Sequence, residues 1–387
     1  TELRAEYDAV SAAASTFVLR PRSGRFRLRI DWDLSALPAG ALAASSLDAA
    51  PDTLLPVDTL DMSFVMAGRI GRYQQSGDAP FFGVWQGTPP FDAAALLEWA
   101  ATLRGHYLRF FGTAPSGYGI FMRRNPVNPG GGIGGYRSFV ITYGEERGND
   151  PEELKFTLAH EMFHTFQPMM STPDGTVESL EYSWFNEGLA VYYQMALPRQ
   201  AGMIDADAFL RDLNYTAGRY YTNALGNTPN SEVPARFWLD TRIRTLPYDR
   251  GFLYFVTVDE ALRRASHGRR SLDDLVLELR RKQERAPPLT AADWEGVLRR
   301  ELGEGGVRSF HAMLAGATAT SDVRRGASDS GPRSLPPERN AARGGSHLRR
   351  MACQFVAQRD TRPRPTARIS RDIGRARSIL HITADST

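Results

Sequence analysis

The chain has 387 residues, about two to three times the length of an ordinary domain, so we expect two or three domains with a large buried core. Hydrophobic residues make up 42% and charged residues 24% of the sequence, a balance typical of soluble globular proteins that excludes a disordered or fibrous chain. No apolar run approaches the roughly 18 residues of a membrane span. The single cysteine, Cys353, excludes an intrachain disulfide and a cysteine-based zinc site.

The net charge of +3 is distributed unevenly along the chain. Residues 317–387 contain 14 Arg but 6 acidic residues, so the first 316 residues are slightly acidic. Arg-rich tails can bind nucleic acid, but this one has Phe355 as its sole aromatic residue for base stacking. We therefore predict a low-complexity, disordered and solvated tail and expect no nucleic-acid partner. The absence of disulfides is compatible with the cytoplasm and equally with the periplasm or secretion.

Alternating patterns in the first quarter of the chain predict β-strands. From residue 25 to residue 32, arginine or aspartate alternates with large apolar side chains, and 61–73 is a second strand candidate. The stretch 36–56 is rich in Ala, Ser, Pro and Asp, so we interpret it as loops. Residues 1–90 are thus predicted to form an N-terminal β-rich domain.

The pattern changes after residue 90. Apolar residues at helical spacing predict a helix over 91–111, and short strands are predicted at 118–122 and 136–142. A cluster of glycines, 130–135, separates these two strands. A strand follows the cluster where a nucleotide-binding loop would be followed by a helix, so the pattern does not indicate phosphate binding.

A strong helix start follows, because Asp150 is a good N-cap, Pro151 fits the first turn and Glu153 completes a capping box. The helix should run to about Phe166, before Pro168.

This helix contains the sequence His160-Glu161-Met162-Phe163-His164. Because four residues are slightly more than one turn, both imidazoles project from one face and Glu161 lies beside them. Two neutral imidazoles leave a zinc ion Lewis acidic, and a glutamate can take a proton from the attacking water. The motif therefore predicts a hydrolytic site that holds one Zn²⁺.

A catalytic zinc ion usually needs a third protein ligand, for which Glu178, Glu181 and Glu187 are the candidates. Glu187 lies in an apolar helical pattern, where an acid would face the core unless a metal or another partner compensated its charge. The other two glutamates are better explained as solvated surface residues. We therefore predict Glu187 as the third ligand.

Together these motifs resemble the gluzincin zinc metallopeptidases and, within them, the glycyl aminopeptidase family. The resemblance rests on the two histidines with Glu161, on Asn186-Glu187-Gly188, and on Tyr248-Asp249-Arg250-Gly251. It implies a multi-domain α+β protein, with a thermolysin-like catalytic domain at 91–200 and an α-helical domain at 201–316. The resemblance further implies a peptide substrate and a role for Tyr248 in stabilising charge on the carbonyl oxygen, which suits a phenol donor.

The sequence also departs from this family at two points. Relatives have a glycine-rich edge strand with a glutamate that engages the substrate amine and a histidine after it, whereas this chain has Gly134 and Gly135 there. We expect aminopeptidase-like hydrolysis with altered amine recognition. A noncatalytic peptide-binding protein on the same fold is the alternative. Relatives usually continue into a PDZ-like module, which we do not expect here because 317–387 has no such strand pattern, and the oligomeric state is not predicted.

Overall fold

The computed structural model of the protein describes residues 3–18, 22–49, 54–77, 80–114, 116–173, 180–317 and 378–383. The described strands are β1 (Arg4–Glu6), β2 (Ala9–Ala13), β3 (Arg25–Trp32), β4 (Leu42–Ser45), β5 (Leu54–Pro56), β6 (Phe64–Gly68), β7 (Ile70–Gln75), β8 (Phe81–Gln86), β9 (Tyr118–Arg124), β10 (Gly132–Gly135), β11 (Ser138–Tyr143) and β12 (Ser378–Thr383). The described helices are α1 (Ala93–Phe111), α2 (Pro151–His164), α3 (Ser183–Gln200), α4 (Ala206–Tyr221), α5 (Val233–Arg236), α6 (Thr241–Arg244), α7 (Leu246–Ala265), α8 (Leu272–Arg285) and α9 (Ala291–Leu314).

The strands form three sheets. Two lie in the N-terminal part, in the orders β1-β2-β6-β4 and β12-β3-β5, and the third has the order β10-β11-β9-β8-β7. In the third sheet β8, β9 and β11 are parallel, while the edge strands β10 and β7 are antiparallel to their neighbours. Helices follow from α2 to α9, so the predicted mixed α+β class is confirmed.

The five-stranded sheet crosses the predicted division at residue 90. Strands β7 and β8 precede that residue, but β8 pairs in parallel with β9, which follows it. Helix α1 connects these two strands as the crossover that a parallel pair requires. The five-stranded sheet therefore includes residues from Ile70 onward, on both sides of residue 90. The exact limits of the domains stay a prediction.

One expectation about the β-rich region needs correction. The interpretation of 36–56 as loops was wrong, because β4 and β5 lie within it and β4 pairs with β6. Strand β4 has Leu42 as its one large residue and β5 is only three residues long, so neither gives an alternating pattern of large apolar residues. In the predicted tail, β12 pairs with β3, whereas 318–377 and 384–387 lie outside the described residues.

Helix α2 has the predicted N-cap and first residue, but the N-cap side chain bonds to Glu152 and the predicted capping box with Glu153 is not formed. The Asp150 carboxylate accepts a hydrogen bond of 2.9 Å from the backbone N–H of Glu152, and Pro151 is the first helical residue. The helix ends at His164, two residues earlier than expected, and its buried face packs on α1 and the five-stranded sheet. No helix among the described residues combines the length and the apolar composition needed to cross a membrane.

Helices α3 and α7 touch through two glycines. A Cβ atom added to Gly251 would lie 2.2 Å from the carbonyl oxygen of Trp184, and one added to Gly188 would lie 2.6 Å from the Cα of Gly251. Even one methyl group at either position would therefore push the two helices apart. The backbones pack directly on each other just beside Glu187.

We expect Gly251→Ala to lower the free energy of unfolding by about 1–3 kcal/mol, because the cost of overpacking exceeds the gain in helix propensity. Gly296→Ala is the matched control, since Gly296 is exposed in α9 and no atom lies within 4 Å of its added Cβ. The control should be stabilised by up to about 1 kcal/mol. Urea unfolding measures both, and equal stabilisation of the two variants would contradict the close helix contact.

Candidate metal centre

Helices α2 and α3 bring together the three predicted ligands. His160 Nε2 lies 3.2 Å from His164 Nε2 and 3.2 Å from Glu187 Oε2, and His164 Nε2 lies 3.4 Å from the same carboxylate oxygen. All three donor atoms therefore face one point. Among the described residues they form a group of the kind that could hold a metal ion.

These distances fit a tetrahedral zinc ion. Zinc binds imidazole nitrogen and carboxylate oxygen at about 2.0–2.2 Å, which places neighbouring ligand atoms about 3.3–3.5 Å apart in a tetrahedron. The three atoms are already separated by nearly these distances, and two imidazoles with one carboxylate are a typical catalytic zinc set. Three protein ligands also leave a fourth position for water or substrate.

Glu187 and His160 stabilise each other's charged forms. Burial opposes ionisation of Glu187, but the hydrogen bonds and charges of both histidines outweigh it, so its pKa lies well below the usual range. Burial lowers the pKa of His160, yet the hydrogen bond and charge of Glu187 reverse this effect, and the net pKa is raised. Glu187 therefore remains an ionised carboxylate that supplies negative charge beside the two imidazoles.

The site is partly open to solvent. The side chains of His160, His164 and Glu187 are 12%, 23% and 23% exposed. Full burial would exclude a peptide, and full exposure would leave the ligands free to move. This intermediate exposure suits a site that admits a substrate from one side.

The side chain of Glu161 projects from α2 towards the glycine-rich edge strand β10. A Cβ atom added to Gly132 would lie 2.9 Å from Glu161 Cγ, so the strand passes close over this side chain. Gly134 is two residues further along and thus points to the same side of the strand. No atom lies within 4 Å of a Cβ added at Gly134, so the strand leaves open space there.

Tyr248 projects from α7 towards the three candidate ligands, His160, His164 and Glu187. Its ring stacks on the imidazole of His160, with centroids 6.0 Å apart and an interplanar angle of 19°. Burial, followed by the negative charges of Glu187 and Glu161, raises the pKa of the phenol well above 10, so it keeps its proton and can donate. The next residue, Asp249, is fully buried and pairs with Arg219 of α4.

Two glutamines contact the outer nitrogens of the histidines. Gln194 Oε1 lies 3.0 Å from His160 Nδ1, and Gln167 Nε2 lies 2.8 Å from His164 Nδ1. We did not predict either contact, although Gln194 follows Glu187 by seven residues, or about two helical turns on one face. Of the other candidate ligands, Glu181 lies in a short turn before α3 and is not part of the group, and Glu178 lies outside the described residues.

Comparison with known proteins agrees with this geometry. Residues 153–235 match the model of the M61 glycyl aminopeptidase family. The predicted resemblance to this family is confirmed. The matched segment contains all three candidate ligands and Glu161 but ends before Tyr248. No curated protein sequence matches the chain.

Among solved structures, an aminopeptidase N family protein from Idiomarina loihiensis is similar at a TM-score of 0.63 and 16% identity, over 81% of this chain and 59% of that one. This likeness shows the fold, and the chain spans less than two thirds of that relative's length. Two others match less well. They are the M1 zinc metallopeptidase of Deinococcus radiodurans (TM-score 0.48, 15% identity, 78% of this chain and 63% of that one) and leukotriene A4 hydrolase of Saccharomyces cerevisiae (TM-score 0.47, 14% identity, 82% and 49%).

We expect His164→Ala to lose stoichiometric zinc after dialysis, because two remaining ligands hold the ion far more weakly than three. His311→Ala removes a histidine from α9, where the side chain is 57% exposed and pairs with Glu295, and should keep wild-type zinc. Metal analysis by mass spectrometry gives the content of each protein. Full zinc occupancy in His164→Ala would remove His164 from the ligand set.

Proposed function

We propose that this protein is a zinc-dependent peptidase that hydrolyses peptide bonds, with the ion held by His160, His164 and Glu187. The observation that carries the proposal is the spacing of their donor atoms, 3.2–3.4 Å, which is the spacing of ligands around tetrahedral zinc. The family match over residues 153–235 and the aminopeptidase-like fold support the same reaction class.

Each neighbouring residue has a distinct role in this proposal. When bound, zinc supplies Lewis acidity that makes the attacking water more acidic and polarises the substrate carbonyl. Glu161, next to His160 on α2, accepts the proton of that water and passes it to the amine leaving group. This role is supported by two observations: β10 covers Glu161 on one side, and the charge of Glu161 acts on His160 and Tyr248.

We assign Tyr248 the role of stabilising the transition state. Its phenol is a protonated donor beside the metal group, and its ring is held by the stack on His160. Negative charge develops on the carbonyl oxygen only as water adds, so a donor aimed there acts on the transition state more than on bound substrate.

The amine end of the substrate is recognised differently from that in relatives. Gly134 lies on the face of β10 that Gly132 presents to Glu161, and it supplies no carboxylate to the open space in front of it. A charged amine would therefore gain no ion pair from this strand. We propose that the enzyme accepts peptides with blocked or extended amino termini about as well as free ones.

We expect Glu161→Gln to keep zinc and lose at least about 100-fold in kcat, because the amide cannot accept the proton. Glu152→Gln makes the same exchange in the first turn of α2 and should keep wild-type kcat. Zinc content and peptide hydrolysis with and without chelator are the measurements. A zinc-loaded wild type without chelator-sensitive cleavage would favour the noncatalytic peptide-binding alternative.

We expect Tyr248→Phe to lower kcat by about 10²–10³-fold while KM changes little, because the hydroxyl acts mainly in the transition state. Tyr221→Phe, at the exposed end of α4, is the control and should leave both parameters unchanged. Steady-state kinetics on one peptide measures both. An unaltered kcat in Tyr248→Phe would show that the tyrosine only packs against His160.

We expect Gly134→Glu to raise the preference for free over acetylated amino termini by roughly 10- to 100-fold, because a charge-assisted hydrogen bond contributes about 1.5–3 kcal/mol. Gly134→Gln has the same shape without the charge and should raise it much less. The ratio of kcat/KM for matched free and acetylated peptides is measured. A strong wild-type preference for free amines would contradict the proposal and direct attention to Glu181 and Glu178.

A further inference from the structure

We propose that Gln194 and Asp212 are positioning residues that fix the proton of His160 on Nδ1 and thereby keep Nε2 free to bind the metal. This inference rests on the proposed zinc site and assigns roles to two residues that do not touch the ion. It follows from two hydrogen bonds that connect helices α2, α3 and α4.

The first step is the orientation of the Gln194 amide. Its Nε2 donates a hydrogen bond of 2.8 Å to Asp212 Oδ2 on α4. Because Asp212 Oδ2 is the acceptor of this bond, the NH₂ end of the amide faces Asp212. The carbonyl oxygen of the amide then necessarily faces His160.

The second step is the tautomer of His160. Gln194 Oε1 lies 3.0 Å from His160 Nδ1, and an amide oxygen can only accept, so Nδ1 must carry the hydrogen. A neutral imidazole has one N–H, which leaves a lone pair on Nε2. That nitrogen is the one that faces Glu187 and His164 at 3.2 Å.

The other histidine lacks such a device. Gln167 Nε2 contacts His164 Nδ1 and also Met169 Sδ, and Gln167 Oε1 is buried with no hydrogen-bond partner among the described residues. Within the described part of the chain, no charged group is recorded as a hydrogen-bond partner that would decide which end of this amide faces the imidazole. The Gln194 and Asp212 pair is therefore the feature that sets ligand geometry on the buried side of the site.

A set of variants separates hydrogen bonding from charge at Asp212. Asp212→Ala removes the acceptor, so the Gln194 amide can turn its NH₂ end to Nδ1, and we expect zinc affinity to fall about 10- to 100-fold. Asp212→Asn keeps an oxygen acceptor and should stay within a few fold of wild type.

A reciprocal exchange tests the pair itself. Gln194→Glu places a carboxylate against Asp212 and should weaken zinc binding, whereas the double variant Gln194→Glu with Asp212→Asn again pairs a donor with an acceptor and should restore it. Gln200→Leu is the matched control, because Gln200 also lies on α3 and donates to an aspartate, Asp273, away from the metal group.

Zinc dissociation constants are measured by competition with a chromophoric chelator, and circular dichroism of the metal-free proteins shows that each variant is folded. The proposal is overturned if Asp212→Ala binds zinc as tightly as wild type, or if Asp212→Asn is weakened equally. A wild type that binds no zinc would instead refute the proposed function, and this inference with it.

Discussion

The candidate site depends on the direct contact of helices α3 and α7 at Gly188 and Gly251. Glu187 immediately precedes one glycine, and Tyr248 precedes the other by three residues, or nearly one helical turn. Because the backbones touch, the carboxylate and the phenol lie on the same side of the crossing, close to His160. Larger residues at the contact would separate the helices and widen the gap between Glu187 and Tyr248, even with every side chain of the candidate site present.

The metal group was predictable because its signals are local. Asp150 and Pro151 mark the start of a helix, and two histidines one turn apart in that helix share one of its faces, independently of the rest of the fold. Glu187 was found because an acid in an apolar helical pattern needs a partner. The strands β4 and β5 were missed, since strands of four and three residues are too short to show an alternating pattern.

The supporting contacts could not be predicted from the sequence for a different reason. Gln194, Asp212 and the two contacting glycines act through helices that are distant in sequence, and only the packed structure shows which of them meet. A glutamine on a helix or a glycine in a helix has many ordinary explanations. Their roles follow from the partner that tertiary packing gives each of them, which a single sequence does not reveal.

Helix α4 belongs to the predicted helical domain at 201–316, yet it contacts residues that support the candidate site in the predicted domain at 91–200. Asp212 of α4 accepts a hydrogen bond from Gln194, which contacts His160. Seven residues later, Arg219 pairs with Asp249, the residue after Tyr248. One helix therefore contacts residues next to a candidate ligand and next to the tyrosine. A protein cut at residue 200 would keep all three ligands and lose their support. The candidate site is thus supported by one continuous set of elements, and moving it to another scaffold would require everything from β10 to α7 together.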